Sequence, residues 1–313
     1  MKHSLITIAI PVYNNEKTIR KTIDSCLDQQ TETPYEILIV DDASEDSIPE
    51  ILASYTDEKI RVVTLTQRVP LIANHNVCLN NALGDYVIFC HADDTLEPHA
   101  IETLSHKLKE RNYPKKYLLW GHSMFRDYGL QLSKAGFRTG ELIAGEYAAL
   151  IPMHGGLTPS GTCYSRESFL ALGGFMHVDI MLAPSDITTM LHLALGGFHF
   201  EMMEEMIFIR KDASTMTKET SAEDFLEAYD DAYHNFILNT PPEEVHHLLN
   251  ISTIHTEPPY YFYYSLAQDT RFKKQIKAIL LKILAAHPFE LKRKIVRLLI
   301  KRLLTGGEAS NVT

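Results

Sequence analysis

Residues 85–94 read Asp-Tyr-Val-Ile-Phe-Cys-His-Ala-Asp-Asp. An apolar run of strand length that closes on adjacent carboxylates predicts a β-strand from Asp85 to Cys90, with His91-Ala92-Asp93-Asp94 at its carboxyl end. Upstream the same pattern recurs: Leu5 to Val12, Tyr35 to Val40 ending at Asp41-Asp42, and Ile60 to Leu65 also read as strands. Between them Ile19, Ile23, Cys26 and Leu27 fall at helical spacing, Ser47 to Tyr55 suits a helix, and Leu71 to Leu83 suits another that Gly84 stops. Alternating β and α with short links predicts an α/β fold, a Rossmann-like, mainly parallel sheet covered by helices on both faces. Ligands of such sheets bind beyond the carboxyl ends of the strands, where both acidic pairs are expected.

Further along, Tyr117 to Phe200 has shorter elements, with turns marked by Gly155-Gly156, Gly173-Gly174 and Gly196-Gly197. After Arg210 the strand signal fades, and helices such as Ala222 to Leu238 and Phe272 to Ala286 dominate. A boundary near Ser214 to Glu223 follows, and residues after Thr305 read as a polar tail. A chain of 313 residues suits one α/β domain with a smaller appended segment. The net charge of -10 argues against a nucleic-acid partner. Cys26, Cys78, Cys90 and Cys163 form no CxxC pair, so neither a zinc site nor a disulfide framework is expected, and a reducing compartment fits. The N-terminus lacks the features of a signal peptide, and Lys282 interrupts the longest apolar stretch, Ala278 to Ala286, so a cytoplasmic protein is expected.

Adjacent carboxylates at Asp93-Asp94 are placed to hold a divalent cation against a diphosphate, where it offsets charge on a departing nucleotide. A solvated turn in which Asp94-Thr95 caps the next helix explains the same residues. Asp41-Asp42 suits hydrogen bonds from a base or ribose, or a turn with Ser44 as an N-cap. Neither pair decides between its two readings alone; their convergence on one sheet edge favours a ligand site.

Taken in order, Ile10-Pro11-Val12-Tyr13-Asn14-Asn15-Glu16, Ile39-Val40-Asp41-Asp42-Ala43-Ser44-Glu45-Asp46 and Ala82-Leu83-Gly84-Asp85-Tyr86 leading into Ala92-Asp93-Asp94 resemble a family 2 glycosyltransferase over roughly residues 5 to 217. The resemblance implies a GT-A fold and an inverting transfer from a nucleotide-sugar, most often a UDP-sugar, with Mn2+ or Mg2+ as cofactor. It implies a transferase domain over 1–217, with a nucleotide-binding half at 1–95 and an acceptor half at 96–217, followed by a helical region at 218–313. Pro11, Val12, Tyr13, Asn14, Asp41, Asp42, Asn76 and Asp93 are the implied nucleotide contacts, and Asp93 and Asp94 the implied metal ligands. His91 stands where the family often has another Asp. His75 stands in place of a common basic residue and reads equally as a polar helix-surface residue, with Arg68 able to compensate for the missing charge.

Gly161-Thr162-Cys163-Tyr164-Ser165-Arg166-Glu167 and Leu172-Gly173-Gly174-Phe175 resemble the segments that shape the family's acceptor floor, with His154, Gly155 and Gly174 as acceptor candidates. Ser185-Asp186 falls where the family shows Glu-Asp at a helix start, which makes Asp186 the implied catalytic base; unaided, the same residue reads as a helix cap. Arg210 and Ser214 match the loop that folds over the donor phosphates, with Asp212 in place of a His. His177 and Trp120 carry no assigned role, Trp120 reading as core or as a sugar-stacking face.

Basic residues from Arg271 to Arg302 interleave with apolar ones in two amphipathic helices divided by Pro288. Two alternatives stay open for the stretch 271–303: docking on an anionic membrane surface, at the inner face of the cytoplasmic membrane, or packing against the chain itself or a second subunit of a homo-oligomer. The implied acceptor is a carbohydrate or glycolipid of surface-polysaccharide or lipooligosaccharide assembly, and the implied activity a hexosyl- or N-acetylhexosaminyltransferase. A sugar nucleotidyltransferase wants a Gly-rich, Arg-containing loop where Pro11-Val12-Tyr13-Asn14 stands, and a dinucleotide-dependent oxidoreductase wants G-x-G-x-x-G there. A catalytically silent carbohydrate-binding or scaffold protein derived from a transferase keeps the same motifs; release of nucleoside diphosphate separates it from an enzyme.

Overall fold

The computed structural model describes residues 6–123, 128–155, 158–176, 185–210, 222–254 and 257–305. Strands β1 (Ile6–Val12), β2 (Tyr35–Asp41), β3 (Ile60–Thr64) and β4 (Tyr86–Phe89) alternate with helices α1 (Ile19–Leu27), α2 (Ile48–Ala53) and α3 (Leu71–Asn81). β1 pairs in parallel with both β2 and β4, and β2 with β3, so these carboxyl ends share one edge. Alternate residues feed opposite faces: Ile6, Ile8 and Ile10 join Ile19, Ile23 and Cys26 of α1 on one side, while Ala9, Leu38, Val40 and Phe89 join Cys78 and Leu79 of α3 on the other. α3 stops at Asn81, before Gly84, because Ala82 is already extended (φ -60, ψ 143).

The second half adds β5 (Asp94–Leu96), α4 (Ala100–Glu110), β6 (Tyr117–Ser123), α5 (Tyr128–Ala135), β7 (Thr162–Ser165), α6 (Arg166–Ala171), α7 (Ser185–Leu195) and β8 (His199–Arg210). The sheet order is β3-β2-β1-β4-β7-β6-β8-β5. β7 runs antiparallel to β4 and β6, and β5 antiparallel to β8, so the sheet is mixed although mainly parallel where the acids sit. Asp94-Thr95 does not cap a helix: Asp94 opens β5, and α4 starts at Ala100 behind His99. Trp120 is core, 1% exposed and edge-on to Phe200.

The rest is helical: α8 (Ala222–Asn239), α9 (Pro242–Ile251), α10 (Tyr260–Leu266), α11 (Thr270–Ala286) and α12 (Lys294–Thr305), with a 3-10 turn at Pro288–Lys292 dividing the last two. Phe272, Ile276 and Leu280 of α11 and Val296 and Leu299 of α12 belong to the same buried cluster as Ala9, Leu38 and Phe89. The expected boundary between 217 and 218 therefore marks no break between cores, and the inner stripes of the basic helices are spent on the chain itself. Cys26, Cys78, Cys90 and Cys163 are all free and buried, as small apolar residues.

Candidate active site

Two loops wall the site. Asn14, held at φ 50, donates its backbone N–H to Ser44 Oγ at 3.1 Å, and its side-chain oxygen accepts from Glu45 N at 2.8 Å. Glu16 N donates to Asp46 Oδ2 at 2.9 Å, and Ser47 N to the Glu16 carboxylate at 3.2 Å. Those Ser47 bonds to Glu16 lower its pKa. The β1–α1 and β2–α2 loops are thereby stitched along one side of an open cleft of about 590 Å³, lined by Asn14, Asn15, Glu16, Lys17, Thr18, Glu45, Asp46 and Asp93. Ser44 is thus a cross-loop acceptor, and the residue capping α2 is Ser47.

The acids of β2 differ in use. Asp41, 1% exposed, closes its own turn by accepting from Ser44 N at 3.0 Å. Asp42 donates its N–H to Val12 O at 2.9 Å, while its carboxylate accepts from Val69 N at 2.8 Å. Burial raises the Asp42 pKa, against the Val69 bond and the Arg68 charge that lower it, and the Asp41 charge adds to the rise. Arg68 lies 4.1 Å over the ring of Tyr13, so Tyr13, Arg68 and Asp42 form one corner beside the cleft. Pro11 and Val12 are buried within β1 and shape this corner through the backbone.

At the end of β4, one ring nitrogen of His91 and one carboxylate oxygen each of Asp93 and Asp94 lie within 4.8 Å of one another. Asp94 is 1% exposed. Ser160 Oγ donates to Asp94 Oδ2 and accepts the His91 N–H, while the Asp94 N–H closes a turn on His91 O at 2.9 Å. His75 is not on the helix surface: it is 1% exposed, stacked on Phe89 at 5.2 Å and edge-on to Phe175 at 5.4 Å. Burial lowers its pKa to about 4, against a bond to Leu71 O that raises it, so the ring is neutral. Its Nε2 lies 3.0 Å from His91 Nε2. Sequence reasoning assigned no role to His91 as a ligand, to Ser160 or to Lys17; the signals present were the His at the head of the acidic run and the Lys behind Asn14-Asn15.

Asn76 uses both ends of its amide on Phe175, donating to its carbonyl at 2.9 Å and accepting from its N–H at 2.8 Å. Next to Phe175, Met176 N donates to Thr189 Oγ1 of α7 at 3.0 Å, so α3, the Gly174 segment and α7 are tied in series. Asp186 lies in the first turn of α7, where its Oδ1 accepts from Ile187 N at 3.1 Å. The Asp186 charge is felt by Tyr233, whose hydroxyl donates to Pro152 O at 2.7 Å in the turn that carries His154. Burial lowers the His154 pKa to about 4. Asp186, His154 and Gly155 thus share one neighbourhood on the acceptor side. Arg210 is the Cα partner of Asp94 across β5 and β8. The Arg210 side chain, Ser214, Asp212, Gly156 and His177 lie outside the described residues.

Residues 7–114 match the family model for glycosyl transferase family 2. Among similar proteins, the glycosyltransferase GlyA of Streptococcus pneumoniae is 39% identical over 106 residues, covering 34% of this chain and 15% of that one. The putative teichuronic acid biosynthesis glycosyltransferase TuaG of Bacillus subtilis is 33% identical over 132 residues, covering 42% and 51%. The putative glycosyltransferase EpsE of Bacillus subtilis is 25% identical over 218 residues, covering 68% and 75%. The chain therefore spans about half or less of the length of GlyA and TuaG. In fold it is similar to S. aureus TarS 1–349 in complex with UDP-GlcNAc, at 18% identity and a TM-score of 0.63 over 93% of this chain and 90% of that one. It is also similar to the mannosyltransferase PcManGT of Pyrobaculum calidifontis in complex with GDP-Man and Mn2+, at 18% identity and a TM-score of 0.58 over 96% and 86%. The fold is of GT-A type, and through its domain at residues 7–114 the chain belongs to glycosyl transferase family 2.

Proposed function

We propose that this chain is an inverting, divalent-cation-dependent glycosyltransferase that moves a sugar from a UDP-sugar to a hydroxyl of a carbohydrate or lipid-linked acceptor in surface-polysaccharide or lipooligosaccharide assembly. The observation that carries the reading is the parallel pairing of β1 with both β2 and β4, which brings Asp42 and the His91, Asp93 and Asp94 group to one edge beside one cleft. Complexes of TarS with UDP-GlcNAc and of PcManGT with GDP-Man and Mn2+ support a nucleotide-sugar in the corresponding cleft.

In this reading the nucleoside lies against Pro11, Val12 and Tyr13, within reach of Asp42 and Arg68. The donor set of His91, Asp93 and Asp94 fits Mn2+ or Mg2+, and a cation bound there would offset negative charge on the departing diphosphate. Arg210, level with Asp94 in the β5–β8 pair, and Ser214 approach the phosphates. Asp186 accepts the proton of the acceptor hydroxyl as its oxygen attacks the anomeric carbon. The new C–O bond forms as the bond to the diphosphate breaks, and attack opposite the leaving group inverts the centre. His154, neutral because buried, and Gly155 line the acceptor side without competing for that proton.

Lys274, Lys277, Lys282 and Lys292 remain exposed on the outer faces of α11 and the following turn, beside Leu281 (60% exposed) and Phe289 (77% exposed). This face supports peripheral docking on anionic lipid, bringing the site to a lipid-linked acceptor.

A screen of nucleotide-sugars that reads released nucleotide with and without Mn2+ tests the reading. Cation-dependent release from a UDP-sugar in the presence of acceptor is expected. Asp186→Asn should keep nucleotide affinity and lose turnover by about 10²–10⁴-fold; unchanged turnover removes Asp186 from the mechanism.

A further inference from the structure

We propose that His91 completes the cation site as a nitrogen ligand, oriented by His75, and that the site therefore favours Mn2+ over Mg2+. The inference rests on the cation-dependent reading above and adds the identity of a ligand and the choice of ion. His75 Nδ1 lies 2.9 Å from Leu71 O, and a carbonyl can only accept, so that nitrogen carries the proton. Nε2 of the neutral His75 ring is then an acceptor, and the 3.0 Å contact requires His91 Nε2 to donate to it. The lone pair of neutral His91 is thereby assigned to Nδ1, the atom left for coordination.

The orienting ring is itself fixed: His75 is enclosed by Phe89 and Phe175 and meets His91 edge-on at 85°. Ser160 sets the other two ligands in relation, accepting the backbone N–H of His91 and donating to the Asp94 carboxylate. Histidine ligands are held in this way by a partner on the far ring nitrogen, which fixes tautomer and ring orientation. Two carboxylates and one imidazole suit a transition-metal ion better than Mg2+, which prefers oxygen donors throughout and gives up its water reluctantly.

Pulsed EPR on the Mn2+ complex of the full chain with UDP tests this. Nitrogen hyperfine coupling to Mn2+ is expected in the native protein and should vanish in His91→Asp, which retains Mn2+ but loses much of its preference for it over Mg2+ in competition. His75→Phe, which keeps a ring between Phe89 and Phe175, should weaken Mn2+ binding by about 10–100-fold with the metal-free circular dichroism unchanged. A Mn2+ complex without nitrogen coupling, or with coupling that survives His91→Asp, overturns the proposal while leaving the transferase reading intact. Failure to bind either ion even with UDP overturns the cation-dependent reading, and the proposal with it.

Discussion

Gly174 has φ +75, and a Cβ added there would stand 2.4 Å from Asn76 Oδ1, the atom that accepts the Phe175 N–H. The small residue and the amide form a strut that holds Phe175 against His75. Gly174→Ala strains the backbone and pushes on that strut, so a loss of about 1–3 kcal/mol is expected by denaturant titration; an unchanged midpoint contradicts the role. Residue identities were legible in the sequence where spacing carried them: acids closing apolar runs at Asp41-Asp42 and Asp93-Asp94 could sit only at strand ends. His75 was not legible, because the residues that bury it, Phe89 and Phe175, arrive from other segments, and nothing in α3 alone marks which of its polar residues faces inward.

Among the elements, β1 to β4 and the helices between them follow the apolar pattern closely, since each strand is buried on both faces and each helix contributes one apolar stripe. The short β5 escaped notice because three residues carry no periodicity, and its identity depends on pairing with β8, over a hundred positions away. β8 also shows how a charged strand residue is tolerated. Glu201, with a side chain 0% exposed, accepts from Arg111 Nε at 2.8 Å and Nη2 at 2.9 Å and from the Tyr117 hydroxyl at 2.7 Å. Burial pushes its pKa up, but the bonds from Arg111 and Tyr117 and the charges of Arg111 and Lys107 outweigh it, and the net shift is downward. A depressed carboxylate contributes stability above its unfolded pKa of about 4.3 and loses it as pH falls through the lower folded value. Thermal melts should therefore hold near neutrality and decline below about pH 4. Glu201→Ala, which leaves Arg111 and Lys107 without their buried partner, should cost about 3–5 kcal/mol at pH 7 and flatten that acid limb. Equal melting at pH 7 would show that the network contributes nothing.

On the scale of the whole molecule, the helical extension and the sheet share a core, and the outer surface of α11 is the part left for another partner. Among the described residues no helix is long and apolar enough to cross a membrane. Flotation with anionic vesicles should show binding that weakens with salt and is lost on replacing Lys277, Lys282 and Lys292 by Glu, the melting temperature holding; binding indifferent to salt and to these changes contradicts electrostatic docking. The amphipathic helices were legible, but whether their stripes face lipid or protein was not, because both are apolar surroundings to a sequence pattern. The central claim is that acids from two separate strands act on one nucleotide diphosphate through a shared cation. Calorimetric titration of UDP into the full chain with and without Mn2+ tests it most directly: binding that requires Mn2+ and disappears in Asp94→Asn is expected, whereas binding of equal strength without cation, or undiminished in Asp94→Asn, would contradict it.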